Sequence, residues 1–288
     1  MSQRLSSRDY WASLYSPVES SPAPSANRLR HWIPAPLRRL RKKLLQRHHT
    51  FQLVECLLAP LLGGREGLRG LEIGSAPGYR SLGLWRRFAI EPWGIEYTDS
   101  GVAAQKALYR QEGLPEDWVV RGDFFDEKLR APWRDHFDVV ASYGFIEHFD
   151  EPVDVVRKHM ELLKPGGLLV LTVPNLNPTT WYGRLVRRFN PAVYQMHNIA
   201  TCTSANFCTI AQSLTGQVVF CGPLGGPDLE FLPDRRWPGR FVSGLCRVVN
   251  PILNVFNHIL LGRRLWAFPR SSSTLALVAI KSGGDAAS

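Results

Sequence analysis

The sequence predicts an α/β protein built on a mainly parallel seven-stranded sheet, and three observations carry that expectation. Seven short apolar runs recur along the 288 residues. Most are separated by stretches with helical spacing, and strands alternating with helices form parallel sheets. The runs are continuously apolar, which suits strands covered on both faces. Several also have a polar or acidic residue at or near their end, and in such sheets ligands sit beyond the carboxyl ends of the strands.

The first strand leads into Leu71-Glu-Ile-Gly-Ser-Ala-Pro-Gly78, a strand end followed by a turn of small residues. Gly74 and Gly78 carry no Cβ, so backbone there can approach a ligand closely. The helical segment 79–88 that follows offers unpaired N–H groups at its start. Residues 93–96 form the second run and end at Glu96. Residues 118–123 form the third and end at Asp123; 137–142 form the fourth and end at Ser142. The fifth, sixth and seventh are 168–173, 217–220 and 274–280.

The flanks read differently. Residues 6–15 suit a short helix with aromatics on one side, 16–25 are rich in Ser and Pro and read as a linker, and 50–62 are apolar at helical spacing. Residues 224–273 hold an apolar stretch, 241–261, interrupted by Arg247, Asn250, Pro251, Asn254, Asn257 and His258. That excludes a membrane span and predicts two amphipathic helices broken near Pro251. Such a face must be buried on the core, a second subunit or a membrane surface; a cap over the substrate pocket is favoured. The expected organisation is an N-terminal helical lid and linker (1–66), a core (67–223), a helical insert or cap (224–273), and a last core strand with a tail (274–288).

Composition narrows the function classes. The net charge is +10, and residues 1–50 hold ten Arg or Lys against two acids. Residues 28–47 could form a basic amphipathic helix. Segments 28–47 and 237–266 are therefore the candidates for peripheral membrane contact, beside a solvated lid helix or a homodimer face. No RNA-binding module accompanies the basic segment, so nucleic acid is not favoured. Five scattered cysteines without a Cys-x-x-Cys pattern read as reduced thiols, and no secretory leader is seen, so a cytoplasmic location is expected.

Taken in order, these motifs resemble the class I S-adenosylmethionine-dependent methyltransferases, most of all the bacterial group that includes the ubiquinone-biosynthesis O-methyltransferases. The segment from Glu72 to Gly78 resembles the family's acidic residue and glycine turn, with Ala76 in place of the middle glycine. Glu96, the Gly122-Asp123-Phe124 motif, the segment 137–149 with its Glu-His pair, and the segment 162–174 resemble the later motifs. The resemblance implies a Rossmann-like seven-stranded sheet with helices on both faces and the last strand antiparallel. It also implies N-terminal helices covering the cofactor, and S-adenosylmethionine as that cofactor.

A carboxylate suits the cofactor's ribose diol because it accepts two charge-assisted hydrogen bonds, a role that falls to Glu96 beside Tyr97. Asp123 would accept from the adenine amino group and Phe124 would flank the ring. Glu72, Gly74, Ser75, Ala76 and Gly78 would face the amino-acid tail, with Ser142 and Tyr143 near the methionine part. For a hydroxyl acceptor a base is required, and His148 leads, then His197, with Glu147 orienting His148 or acting structurally. The three residues are also read as a divalent-metal set, but no metal is expected. His48, His49 and His159 are expected in the lid or at the surface. Trp11, Tyr15, Tyr143, Phe145, Trp181 and Tyr182 either line an aromatic pocket or simply pack. The expected activity is methylation of a small-molecule hydroxyl in secondary or cofactor metabolism. Alternatives are a membrane-held acceptor, transfer to nitrogen or carbon, and a non-catalytic binding scaffold.

Overall fold

A computed structural model describes residues 3–15, 47–229, 239–265, 268 and 270–283. The basic segment 28–46 therefore lies outside the described residues. Helix α1 (Arg8–Tyr15) comes first. A continuous helical run, α2, follows through His48–Phe51, Gln52–Leu58 and Ala59–Leu62. Then strands and helices alternate: β1 (Arg69–Ile73), α3 (Tyr79–Phe88), β2 (Glu91–Glu96), α4 (Asp99–Gln111), β3 (Val119–Arg121), β4 (Phe137–Tyr143), α5 (Pro152–Leu162) and β5 (Leu163–Pro174). Helices α6 (Trp181–Phe189) and α7 (Ser204–Gln212), strand β6 (Gly216–Pro227), helix α8 (Gly239–Leu260) and strand β7 (Ser272–Lys281) complete the order.

The strands form one sheet in the order β3-β2-β1-β4-β5-β7-β6. All adjacent pairs from β3 to β5 are parallel, while β7 runs antiparallel to β5 and β6. The seven runs and the antiparallel last strand thus appear as expected. Both faces are covered. Leu53, Leu57, Leu62, Leu84 and Phe88 from α2 and α3 pack on one side. Val155, Val156, Met160, Phe207 and Ile210 from α5 and α7 pack on the other. This explains the unbroken apolar runs of β5 and β7, Leu168–Leu171 and Leu275–Ile280: both of their faces are covered.

Three boundaries differ from expectation. Strand β3 stops at Arg121, so Gly122 and Asp123 already lie in the loop. Strand β6 runs on to Pro227 because β7 offers it partners as far as Ser272. The insert is one 22-residue helix, α8, with Pro251 inside it, and not two helices. Pro251 is exposed, so the carbonyl it leaves without an intrahelical donor is on the water side.

Helix α8 is also turned over. Its asparagines face the protein: Asn250 Oδ1 accepts from Leu229 N–H at 2.8 Å, Asn254 Oδ1 from His48 N–H at 2.8 Å, and Asn257 Nδ2 donates to the Pro227 carbonyl at 2.9 Å. An apolar stripe faces outward, with Val248, Ile252, Phe256 and Ile259 exposed at 63, 64, 53 and 77 %. The favoured cap over the pocket is not what the described part of this helix provides: none of its described residues lines the cavity at the strand ends.

Candidate functional site

The carboxyl ends of β1, β2, β3 and β4 surround a cavity of about 210 Å³. It sits where strand order reverses, with β1 between β2 and β4, the usual ligand crevice of an open α/β sheet. Every residue expected to hold a cofactor lines it except Ser142. Ser142 is buried, and its hydroxyl lies 3.1 Å from His159 Nε2.

The turn after β1 forms one wall. Gly74 and Gly78 have φ of +68° and +95°, in the left-handed region that favours glycine. A Cβ at Gly78 would also lie 2.8 Å from Gln105 Cγ. Gly78 caps α3, and Ala76 and Gly78 present backbone to the cavity. The Ser75 hydroxyl is committed to Gln105 Oε1 at 2.6 Å. Glu72 Oε2 accepts from the Ser81 N–H at 3.0 Å and from the Ser81 hydroxyl, so the strand-end carboxylate caps the next helix. Burial pushes Glu72 up to about 7, although Ser81 and Arg80 act against the shift.

Glu96, at the tip of β2, is 4 % exposed. Its Oε1 accepts from the Thr98 N–H at 2.8 Å and from the Thr98 hydroxyl at 2.6 Å. Thr98 in turn caps α4 by accepting from Gly101 N–H at 3.2 Å. One carboxylate oxygen is therefore fixed by the fold, and the other is left for the cavity. Asp123 Oδ1 accepts from Phe125 N–H at 3.0 Å and from Arg4 Nη2 at 2.5 Å. Phe124 is buried beside it and meets Phe145 edge-on, and Tyr97 lies 4.9 Å below the Arg4 guanidinium.

The N-terminal segment closes the cavity. Leu5 N–H donates to the His148 carbonyl at 2.8 Å, Arg8 to the Tyr97 carbonyl at 2.8 Å, and the Tyr15 hydroxyl to the Ala76 carbonyl at 2.9 Å. Trp11 meets the His148 ring edge-on at 4.9 Å. Trp11, Tyr15, Tyr143 and Phe145 line the cavity; Trp181 and Tyr182 do not. Arg4 and Arg80 are among the wall residues that escaped the sequence reading. Arg4 gave no signal, because its partners are about a hundred positions away. Arg80 did give one: a cation in the first turn of a helix opposes the macrodipole. Its guanidinium lies 4.5 Å over the Tyr143 ring, whose hydroxyl burial pushes well up.

His148 reaches the cavity from the loop after β4 and is 5 % exposed. Its Nδ1 lies 3.1 Å from the Met196 carbonyl, so Nδ1 carries the proton and Nε2 the lone pair. Burial, helped by His197, lowers it to about 3. His197 stands behind, its ring 4.5 Å from that of His148 and its Nδ1 bonded to the Val193 carbonyl. Burial also lowers its pKa. Glu147 is fully buried and is pushed up to about 8 by burial. Neither of its oxygens bonds to a neighbouring residue; its own backbone N–H is the nearest help. It does not orient His148, which is held by Met196. Donor atoms of Glu147, His148 and His197 all lie within 4.8 Å of one another.

His48, His49 and His159 are buried, contrary to expectation. His159 bonds to the Val155 carbonyl at 2.8 Å inside α5, and His48 lies under the end of α8, 3.2 Å from the Gly262 carbonyl. His159 and His48 each have an internal carbonyl to receive a ring N–H, which compensates the burial of a neutral imidazole, while His49 Nδ1 lies 3.8 Å from Asp228 Oδ2.

Residues 71–171 match the family described as "Methyltransferase domain". A ubiquinone biosynthesis O-methyltransferase of Cereibacter sphaeroides is 33 % identical over 116 residues, 40 % of this chain and 45 % of that protein. A tRNA U34 carboxymethyltransferase of Idiomarina loihiensis is 31 % identical over 118 residues, 40 % of this chain and 35 % of that protein. The chain thus spans less than half the length of these curated relatives. Among solved structures, geranyl diphosphate C-methyltransferase from Streptomyces coelicolor superimposes with a TM-score of 0.54 at 17 % identity, covering 85 % of this chain and 80 % of that one. The [4+2]-cyclase SpnF gives 0.51 at 18 %, covering 81 % of each. At these identities the likeness is one of fold.

Proposed function

We propose that this chain, whose residues 71–171 form a methyltransferase domain of the class I S-adenosylmethionine-dependent kind, transfers a methyl group from that donor to the hydroxyl of a small molecule. The observation that carries the reading is Glu96. A buried carboxylate with one oxygen fixed by Thr98 and the other facing a cavity suits a ribose diol. The residues present fit the rest of the donor. Gly74, Ala76 and Gly78 leave room for its amino-acid tail, Arg80 offers a cation to that tail's carboxylate, and Phe124 and Asp123 flank the adenine end. When bound, the donor supplies an electrophilic methyl group. The chain's own contribution is positioning and dryness: Trp11, Tyr15 and Phe145 exclude water, and near-attack geometry contributes much of such a rate. His148 Nε2, a lone pair held at the cavity wall, receives the hydrogen bond of the acceptor hydroxyl. Because burial keeps this imidazole neutral, it orients the hydroxyl at neutral pH without itself titrating.

Calorimetry with S-adenosylhomocysteine tests the donor half. Wild-type protein should bind it, and Glu96→Ala should weaken binding by about 10²-fold, as expected for loss of two bonds to a charged group. No binding by the wild type would sink the proposal.

A second reading, an acceptor held in a membrane, is favoured by helix α8. Its outward stripe of Leu245, Val248, Ile252, Phe256 and Ile259 is apolar, and residues 235–284 contain eight Arg or Lys and no Asp or Glu. That pairing of an apolar face with basic flanks suits the surface of an anionic bilayer. No described helix is long and apolar enough to cross a membrane. Co-sedimentation with phosphatidylglycerol vesicles at low salt, abolished in Ile252→Ser/Phe256→Ser, is the expected result; wild-type protein left in the supernatant would remove this reading.

A further inference from the structure

We infer that Glu147, His148 and His197 form a binding site for one divalent transition-metal ion, set against the His148 wall of the cavity. The three residues come from two loops: Glu147 and His148 follow β4, and His197 follows α6 and the short helix after it. The fold brings one donor atom from each to within 4.8 Å of the others. An ion centred among atoms at that spacing needs each ligand to approach by about 0.7 Å to reach bonds of about 2.1 Å, a side-chain adjustment.

The orientation of the rings is the second argument. Both imidazoles have Nδ1 fixed to a backbone carbonyl, His148 to Met196 and His197 to Val193. Both therefore keep the Nε2 lone pair, and His197 Nε2 lies 4.0 Å from Glu147 Oε1. A ring N–H anchored to a carbonyl, with the other nitrogen left as a lone pair, is how metal-ligating histidines are held. The third argument is the carboxylate. Glu147 is fully buried with no neighbouring donor, although a buried acidic side chain is normally paired. A cation at this point would supply the missing partner.

The donor set, two imidazole nitrogens and a carboxylate oxygen, selects zinc, manganese, iron(II) or cobalt over magnesium or calcium, which prefer all-oxygen sites. What such an ion would do rests on the methyl-transfer reading: in the metal-loaded protein the His148 Nε2 lone pair is taken by the ion, and the ion meets the acceptor oxygen in place of that lone pair; only the metal-free protein offers the lone pair to the hydroxyl directly. Binding of the ion does not rest on that reading.

The test uses the full-length chain without a histidine tag, stripped by a chelator and titrated with Zn²⁺ by calorimetry. Uptake of one ion per chain is expected, with affinity reduced 10²-fold or more in His197→Ala and in Glu147→Gln. Replacement by Co²⁺ should give a visible absorption band in the wild type that is lost in His197→Ala. Each sample is also titrated with S-adenosylhomocysteine, and retained binding shows that a variant is folded. A wild-type protein that takes up no ion saturably, or variants that take it up as the wild type does, would overturn the site. If S-adenosylhomocysteine still binds in that case, methyl transfer survives and only the metal is lost. Metal uptake without any S-adenosylhomocysteine binding reverses the outcome.

Discussion

The sheet and helix α8 handle burial in opposite ways. In β4, β5 and β7 apolar side chains point into two covered faces. In α8 three asparagines point in and a stripe of apolar side chains points out. The sheet is held by area removed from water. The helix is held by directional bonds from asparagines to backbone groups that would otherwise lack partners, including the first N–H of α2. The hydrophobic effect is non-directional and fixes the sheet strongly. Three side-chain amides fix an orientation, and they leave an apolar surface available to a partner.

The largest effect expected from this contrast is in the sheet. Leu171→Ala, at a fully buried position in β5, should cost about 2–5 kcal/mol in denaturant unfolding. A loss below 1 kcal/mol would mean that the central sheet is not the stabilising unit. Next come two of the buried histidines, His159 in the core and His48 under α8, each lowered to about 4 by burial. Below the ordinary value of 6.5 the unfolded chain takes up two protons that the folded chain refuses, so stability falls as pH drops from about 6.5 to 4. Glu72, raised to about 7, opposes this from pH 4.5 upward, because there the folded chain keeps a proton that the unfolded one gives up. His148, lowered to about 3, and the lowered His49 and His197 add to the histidine side, Glu147, raised to about 8, adds to the carboxyl side, and the histidines outnumber the carboxyls, so stability rises from pH 4.5 to 6.5. Thermal melts over that range should show the rise, and His159→Gln should shrink it.

Smaller effects come from the helix. Asn254→Ala leaves the His48 N–H under α8 without its acceptor and should cost about 1–3 kcal/mol. Phe256→Ser, on the outer stripe, should change stability by under about 0.5 kcal/mol. If Phe256→Ser proved the more damaging of the two, the outward face would already be packed in solution, and the contrast between the two regions would fail.

The cofactor side of the cavity was legible because it is local. Glu72, the glycine turn and Glu96 sit at strand ends that the apolar pattern marks, and each is placed by its immediate neighbours, Ser81 and Thr98. Ser142 shows the limit of that reading. It ends a strand as expected, but its side chain belongs to His159 across the sheet, a pairing no spacing rule contains. The wall formed by the N-terminal segment was less legible for the same reason. Arg4 meets Asp123 across 119 positions, and Trp11 meets His148 across a gap that no periodicity spans.

By itself the sequence determined the seven strands and the carboxylates at the strand ends, because side-chain periodicity and turn residues act within a few positions; the antiparallel last strand was implied by the family resemblance alone. The tertiary structure alone decided which way α8 faces, which histidines are buried, and that His197 comes within reach of Glu147 and His148. Those outcomes depend on hydrogen bonds and burial between segments 48 to more than 200 residues apart, and only the folded chain brings these partners together.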